Sequence, residues 1–397
     1  MNTVQHSDII VVGAGPAGLA FARFFLGSDI RLRVIDKAPI AALQNPAYDG
    51  REIALTNSSK EILQNLGVWQ RLNDDEIYPL KDAKVYNGTL DYALHFQVPK
   101  SMRTMRSLDR LGNLVSNHHI RKALYDEVST MPNVELIGDA CVDTVKTGED
   151  RATVTLSDGR QFTADLLIAA DSRMSGVRRL LGIGADMNDF GRTVIVFRVS
   201  HPESNTATAQ ECFLHGRTLA ILPLTDTMSN CVITVDNTQA QALLSLSPAQ
   251  LAHEAQRMFG DKLGKFSIAG TVHHYPLIGV HAQSFVSQRA ALIGDAAVGM
   301  HPVTAHGYNL GLASAKTLTS LILQAYDKQS DIGSWQLLAS YNRQHQAHTR
   351  PLYHGTNAMV RLFTTDNKLV RPLRDLTLRV SNNLPPIKHW IAKQLVG

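Results

Sequence analysis

Asp8-Ile9-Ile10-Val11-Val12-Gly13-Ala14-Gly15-Pro16-Ala17-Gly18 decides how this chain folds. The apolar residues from Ile9 to Val12 do not alternate with polar ones, as expected of a parallel strand covered on both faces. A tight turn and a small-residue helix to about residue 26 follow. Gly13 permits the turn, Gly15 lets backbone approach a pyrophosphate, and Gly18 lets the helix pack on the strand. Pro16 and Ala17 open the helix, whose first amides and dipole then face the phosphates. A second strand over residues 31–35 ends at Asp36, eighteen residues beyond Gly18. Asp36 is placed to accept the adenosine ribose hydroxyls, with Lys37 beside it, and its charge would repel a 2′-phosphate. This βαβ opening predicts a dinucleotide-binding, Rossmann-type domain.

A second segment decides between dinucleotides. Ala291-Leu292-Ile293-Gly294-Asp295-Ala296-Ala297-Val298-Gly299-Met300-His301-Pro302 is a strand that ends in Gly-Asp and enters a proline-containing loop. Val303-Thr304-Ala305-His306-Gly307-Tyr308-Asn309-Leu310-Gly311 then starts a long helix, predicted over residues 308–325. Asp295 can bond a ribityl chain, and Pro302 can floor a ring. The amides around Gly307, Tyr308, Asn309 and Leu310 can stabilise negative charge that develops on a reduced flavin.

Working outward, Ser58 and Glu61 have capping-box spacing for a helix to about residue 72. Asn117 is placed to cap a helix in which Ile120, Leu124 and Val128 share a face. Ser157-Asp158-Gly159-Arg160 reads as a turn between two strands, and residues 166–170 as a return to the buried sheet. Strands are predicted at 193–199, 219–224, 231–235 and 267–275. One helix interrupts them, with Ser247 as its cap and Pro248 at its first position. The organisation expected is a discontinuous FAD domain (1–80, 107–184, 281–342), substrate-domain strands at 81–106 and 185–280, and a helical tail at 343–397. The fold class is α/β.

Composition narrows the function. Cys141, Cys212 and Cys231 are the cysteines, and none forms a CxxC, which excludes the disulfide-reductase flavoproteins and a zinc cluster. All three read as small buried apolar residues. The first residues lack a secretory pattern, and no apolar stretch suggests a membrane span, so a cytoplasmic setting is expected. From Arg343 onward nine Lys/Arg stand against Asp366 and Asp375, a net +7 on a chain of formal charge +4. This basic end suits an anionic membrane surface or sister enzymes of a pathway better than nucleic acid, with a plain solvated surface the alternative. His118-His119 and His273-His274 are adjacent pairs, a poor arrangement for a metal, and no metal is expected.

With these motifs in view, the chain resembles the aromatic hydroxylases among flavoprotein monooxygenases, specifically the ubiquinone-biosynthesis group. The resemblance spans nearly the whole chain. It takes in Asp49-Gly50-Arg51-Glu52-Ile53-Ala54-Leu55, Ile120-Arg121-x-x-Leu124, Ala170-Asp171-Ser172-Arg173-x-Ser175-x-x-Arg178, Tyr275-Pro276-Leu277 and Asn383-Leu384-Pro385-Pro386. It implies that Arg51 and Arg121 lie along FAD, that Cys141-Val142 meets the adenine through backbone, and that Asp171 serves the cofactor. It further implies that reduced flavin and O₂ form a C4a-hydroperoxide, which hydroxylates a polyprenylated phenol or quinol. Arg51, His306 and Pro302 are the candidate catalytic residues, and His306 could help deprotonate a phenol.

Three departures stand out: Ser172 where the group usually has Gly, Ala305-His306 for Gly-Gln, and Val298 for a histidine. With no second GxGxxG, NAD(P)H would bind transiently at the surface, where Arg178-Arg179 could draw its phosphates. Trp-x-Trp is absent, against a flavin halogenase. A flavin reductase that inserts no oxygen, and a non-catalytic prenyl-binding protein, remain as alternatives.

Overall fold

A computed structural model describes residues 5–98, 109–214, 216–301 and 307–364. Pro302 and His306 therefore lie outside the described residues, as does the tail beyond Thr364.

Gln5–Val12 is the strand that organises the first sheet. It pairs in parallel with Leu32–Ile35 on one side and Gln161–Ala169 on the other. The order is Val286–Ser287, Ala290–Leu292, Gln161–Ala169, Gln5–Val12, Leu32–Ile35, Val134–Ile137. Ala152–Leu156 and Val142–Thr147 extend it antiparallel. Ile9, Ile10 and Val11 are fully buried, which explains the absence of alternation. Helix Pro16–Arg23 covers this sheet and packs between Asn117–Val128 and Gly307–Asp327. Phe21 and Phe25 meet edge to face there at 5.2 Å, both fully buried. Truncating either to Ala would cost roughly 3–5 kcal/mol.

The second sheet runs Val298–Gly299, Ser267–Ala282, Ala185–Ser200, Met228–Asp236, Arg217–Pro223, Thr208–Leu214, Asp82–Asn87, Thr89–Gln97. Its two 16-residue strands outrun the predicted ones. Pro276 is accommodated where the ladder between them shifts register, between Asp189 and Thr193. Glu52–Thr56, Gly112–Ser116 and Ile77–Leu80 make a small third sheet.

Several local expectations need correction. The helix at Asn57–Asn65 is capped by Thr56, whose hydroxyl accepts from the Ser59 amide at 3.2 Å, and not by a Ser58–Glu61 box. It stops short of residue 72 because Gly67 takes φ +77° and the Arg23 guanidinium binds the Leu66 carbonyl at 2.9 Å. Ser116, not Asn117, occupies the cap of Asn117–Val128; the Asn117 amide instead donates to Asp49 at 2.7 Å. Two helices interrupt the second sheet, Asn237–Leu244 and Pro248–Phe259, the first capped by Asp236 and the second by the expected Ser247. Cys141 is exposed, whereas Cys212 and Cys231 are buried as predicted. The last described helix, Trp335–Thr364, begins eight residues before the expected tail. No described helix is long and apolar enough to cross a membrane.

Candidate functional site

The two glycine turns meet. Gly13 and Gly18 are close-packed: a Cβ on Gly13 would lie 2.4 Å from the Ala170 carbonyl oxygen, and one on Gly18 would lie 1.9 Å from that of Gly13. Gly294, at φ +59°, abuts Ala17, and Gly311 abuts Gly294. Gly15 differs: a Cβ there would meet nothing within 4 Å. It faces a cavity of about 1690 Å³ that runs from these turns to the face of the second sheet.

Most predicted cofactor residues border that cavity: Gly13, Gly15, Pro16, Ala17, Asp36, Lys37, Arg51, Arg121, Val142, Asp171, Gly294, Asp295, Gly307, Tyr308 and Asn309. Gly18 and Leu310 do not; the Leu310 side chain is buried in the core, so only its backbone is available. The carboxylate of Asp36 accepts from the amides of Ala14 at 2.6 Å and Ala38 at 2.8 Å, which fixes the turn. Asp171 likewise holds its own loop, accepting from the Ser175 hydroxyl and the Val177 amide. Asp295 pairs with Arg173 at 3.0 Å. Asn309 ties the long helix to the Glu52–Thr56 strand, accepting from the Thr56 amide and donating to the Ala54 carbonyl.

Arg51 sits on the cavity wall with its side chain half exposed. Its Nε donates to Asp49 at 3.0 Å, and its guanidinium carbon lies 5.7 Å from the Tyr275 ring centre. The Tyr275 hydroxyl donates to the Asp49 carbonyl. Although burial opposes it, the Arg51 contact together with Asn117 holds the Asp49 carboxyl below its usual range. One element further in, Glu52 is fully buried between Arg198 at 2.7 Å and the Ser116 hydroxyl at 2.7 Å. This ion pair joins the two halves of the molecule, and the sequence reading missed it.

Two observations fit a large anionic nucleotide. Among the described residues the Arg121 guanidinium has no hydrogen-bonding or ionic partner, although it borders the cavity. The Tyr308 hydroxyl is buried without a partner there too. The open space over Gly15, uncapped helix amides and an unpaired arginine match what FAD requires.

Other expectations fare differently. Arg178 is buried and donates to the Arg173 and Ala296 carbonyls, so it cannot reach a nicotinamide cofactor; Arg179 is exposed on the cavity rim. His118 and His273 both pack on Tyr48, at 5.2 and 5.4 Å between ring centres. His301 is buried against Phe190, and burial pushes its pKa down to about 4. Ser172 has φ +95°, which explains why the related group has glycine at this position.

The FAD binding domain family profile matches residues 6–355. The chain belongs to this family of FAD-dependent monooxygenases. It is 52% identical over 392 residues to the ubiquinone hydroxylase UbiM of Neisseria meningitidis, covering 99% of this chain and 85% of that protein. It is 32% identical to the ubiquinone hydroxylase UbiL of Rhodospirillum rubrum, covering 98% and 90%. The same architecture occurs in p-nitrophenol 4-monooxygenase PnpA of Pseudomonas putida, with TM-score 0.78, 16% identity and 99% of both chains covered. PieE, a flavin-dependent monooxygenase solved with FAD and substrate, matches at TM-score 0.73 and 17% identity over 98% of this chain and 71% of that one. FAD is thus the family's cofactor, and the relatives at 52% and 32% identity are hydroxylases.

Proposed function

We propose that this FAD-dependent monooxygenase hydroxylates the aromatic ring of a polyprenylated phenol or quinol in ubiquinone biosynthesis, using O₂ and electrons from NAD(P)H. The observation that carries this reading is one continuous cavity, which has a polar glycine-turn end and a long apolar end walled by strands and by the helix Trp335–Thr364. FAD, when bound, supplies electron storage and oxygen activation.

The chain's own residues then have separable tasks. The amides following Gly15 and the Arg121 guanidinium would neutralise the pyrophosphate, Asp36 would take the ribose, and backbone at Val142 would meet the adenine. Arg51, held in place by Asp49 and Tyr275, would bring positive charge to the ring system. The amides of Gly307, Tyr308, Asn309 and Leu310 would stabilise electron density on its pyrimidine side. Pro302 and His306 carry their catalytic assignments from sequence alone. Phe96, Phe213, Leu94 and Met359, on the apolar walls, would take the prenyl chain and exclude water.

The test combines ¹⁸O₂ with complementation of strains blocked at each quinone hydroxylation. Labelled hydroxyl in a prenylated product supports the reading. Flavin reduction with unlabelled product would favour a reductase, and a protein that takes up no FAD would remove both.

A further inference from the structure

Among the described residues five carboxyl groups border the cavity, and four are already held by amides or by a cation. Asp36 and Asp171 accept backbone amides, Glu52 is clasped by Arg198 and Ser116, and Asp295 pairs with Arg173. The fifth, Glu211, has no cationic partner among the described residues. It stands on Thr208–Leu214, in the middle of the second sheet.

Strand register defines its surroundings. Glu211 lies level with Val85 on one side and Ala220 on the other. The row continues through Leu94 beyond Val85, and through Val232 and Val196 beyond Ala220. All six of these residues border the cavity, so Glu211 is one acid in an otherwise apolar stripe. On its own strand Ala209 and Phe213 share its face, because side chains alternate. Gln210 and Cys212 point to the opposite face, where Gln210 accepts from Tyr86.

Among the described residues, no charge on a neighbouring element answers it. Lys84 also borders the cavity but alternates away from Val85. Arg217 is turned to Glu254, and Lys262 lies over the Tyr86 ring. The helix Trp335–Thr364 presents Met359 and Leu362 to Leu94, Phe96 and Phe213. Its Arg361 reaches Asn188, and its His354 packs on Tyr353. The Thr218 hydroxyl, two residues along the paired strand from Ala220, is the polar group that acts on the Glu211 carboxyl and favours its charged form. An acid kept in apolar surroundings with so little compensation is costly unless a ligand completes it. Burial pushes its pKa up to about 7, opposed only in part by Thr218.

The geometry points to Glu211 as the group that receives the ring hydroxyl of the substrate and takes its proton. This rests on the hydroxylase reading above. The phenolic O–H bond breaks and an O–H bond forms on a Glu211 carboxylate oxygen. The electron pair left on the phenol oxygen moves into the ring, which enriches the carbons ortho and para to it for electrophilic oxygen. The proton leaves to solvent with the product. Only the ionised carboxylate can do this, so turnover should rise with pH through the region of 7. The same group sets specificity, because a site built to bond a hydroxyl rejects an analogue that lacks one.

The test uses the FAD-loaded protein with a short-chain 2-prenylphenol and its methyl ether, which cannot donate a hydrogen bond. Glu211→Gln should keep wild-type FAD content by absorbance, lower kcat about 100-fold and flatten the rise near pH 7. In the wild type, perturbation of the flavin spectrum should show the phenol binding more tightly than the ether, and Glu211→Leu, which leaves no acceptor, should erase that preference. Thr218→Val, which removes a contact that lowers the carboxyl pKa, should move the rise to higher pH, and serves if Glu211→Gln does not fold. Wild-type kcat and pH profile in Glu211→Gln, wild-type phenol preference in Glu211→Leu, or an unshifted profile in Thr218→Val would overturn the assignment. A wild type that prefers the phenol but inserts no oxygen would instead remove the hydroxylase reading and leave Glu211 as the hydroxyl-binding group.

Discussion

Gly294 and Ala17 touch: a methyl group built on Gly294 would lie 2.7 Å from the Cβ of Ala17. The contact locks the second glycine turn onto the helix that follows the first, at a backbone φ of +59° that suits glycine. Gly294→Ala combines overpacking with an unfavourable backbone angle and should destabilise the protein by about 1–3 kcal/mol. Thermal denaturation checks this; an unchanged Tm would mean that the turns are not packed as described.

The glycines of the first turn should separate by phenotype. Gly15→Ala meets no protein atom within 4 Å and has φ −75°, so the apoprotein should keep its stability within about 0.5 kcal/mol. Flavin titration should nevertheless show weakened FAD binding, because the methyl occupies the space kept for phosphate. Gly18→Ala collides with backbone and should lose both. Equal flavin affinity in Gly15→Ala and wild type would contradict the placement of the pyrophosphate.

Ser172 holds a backbone angle of +95° on the cavity rim. Ser172→Gly releases that strain and should raise stability by about 1 kcal/mol, net of the entropy glycine gains on unfolding. Urea denaturation reads it directly; a lower midpoint would show that the serine hydroxyl contributes more than the backbone costs.

Acid should destabilise the fold through its buried histidines. His345 is stacked on Tyr341 and 5% exposed, and burial lowers its pKa to about 3 from the usual 6.5. Its unfolded form therefore binds a proton first as pH falls. The stability is complete above about pH 6.5 and declines below it, by on the order of 2 kcal/mol at pH 5. His345→Gln should flatten that decline in chemical denaturation measured between pH 7.5 and pH 5, and an unaltered slope would point to other groups.

The basic end is testable by truncation, with the cut placed after Thr364. Removing residues from 343 would take away Pro351, Leu352 and Met359, which wall the cavity. Truncation after Thr364 removes six Lys/Arg and two Asp. It should leave FAD content intact and reduce flotation with anionic vesicles several-fold, to be compared at low and high salt. Unchanged flotation would leave the charge as an ordinary solvated surface.

How much of this was legible in sequence follows from the range of each signal. The unalternating Ile9–Val12 run, the glycine spacing and Asp36 are local, and the structure bears out the strand, turn and helix they predict. Ser247 with Pro248 marked its helix for the same reason. The Thr56 cap was misread because Ser58 and Glu61 offered an equally good local pattern, and only the position of the Glu52–Thr56 strand distinguishes them. The role of Asn117 was misread because its partner, Asp49, lies in another segment. Glu211 was passed over because an acid in an alternating strand normally faces water. What faces it here is fixed by Val85 and Ala220 on neighbouring strands, the former far away in sequence. The clasp of Glu52 by Arg198 is long-range in the same way.

The central position of Gln5–Val12 has a kinetic consequence. Its partners lie near residues 32–35 and 161–169, and its glycine turn is closed by Gly294. During synthesis this strand must therefore wait for nearly 300 later residues before its sheet is complete. Such long-range closure slows folding and leaves apolar edges uncovered meanwhile, so newly made chains should lean on chaperones far more than the finished enzyme's stability would suggest.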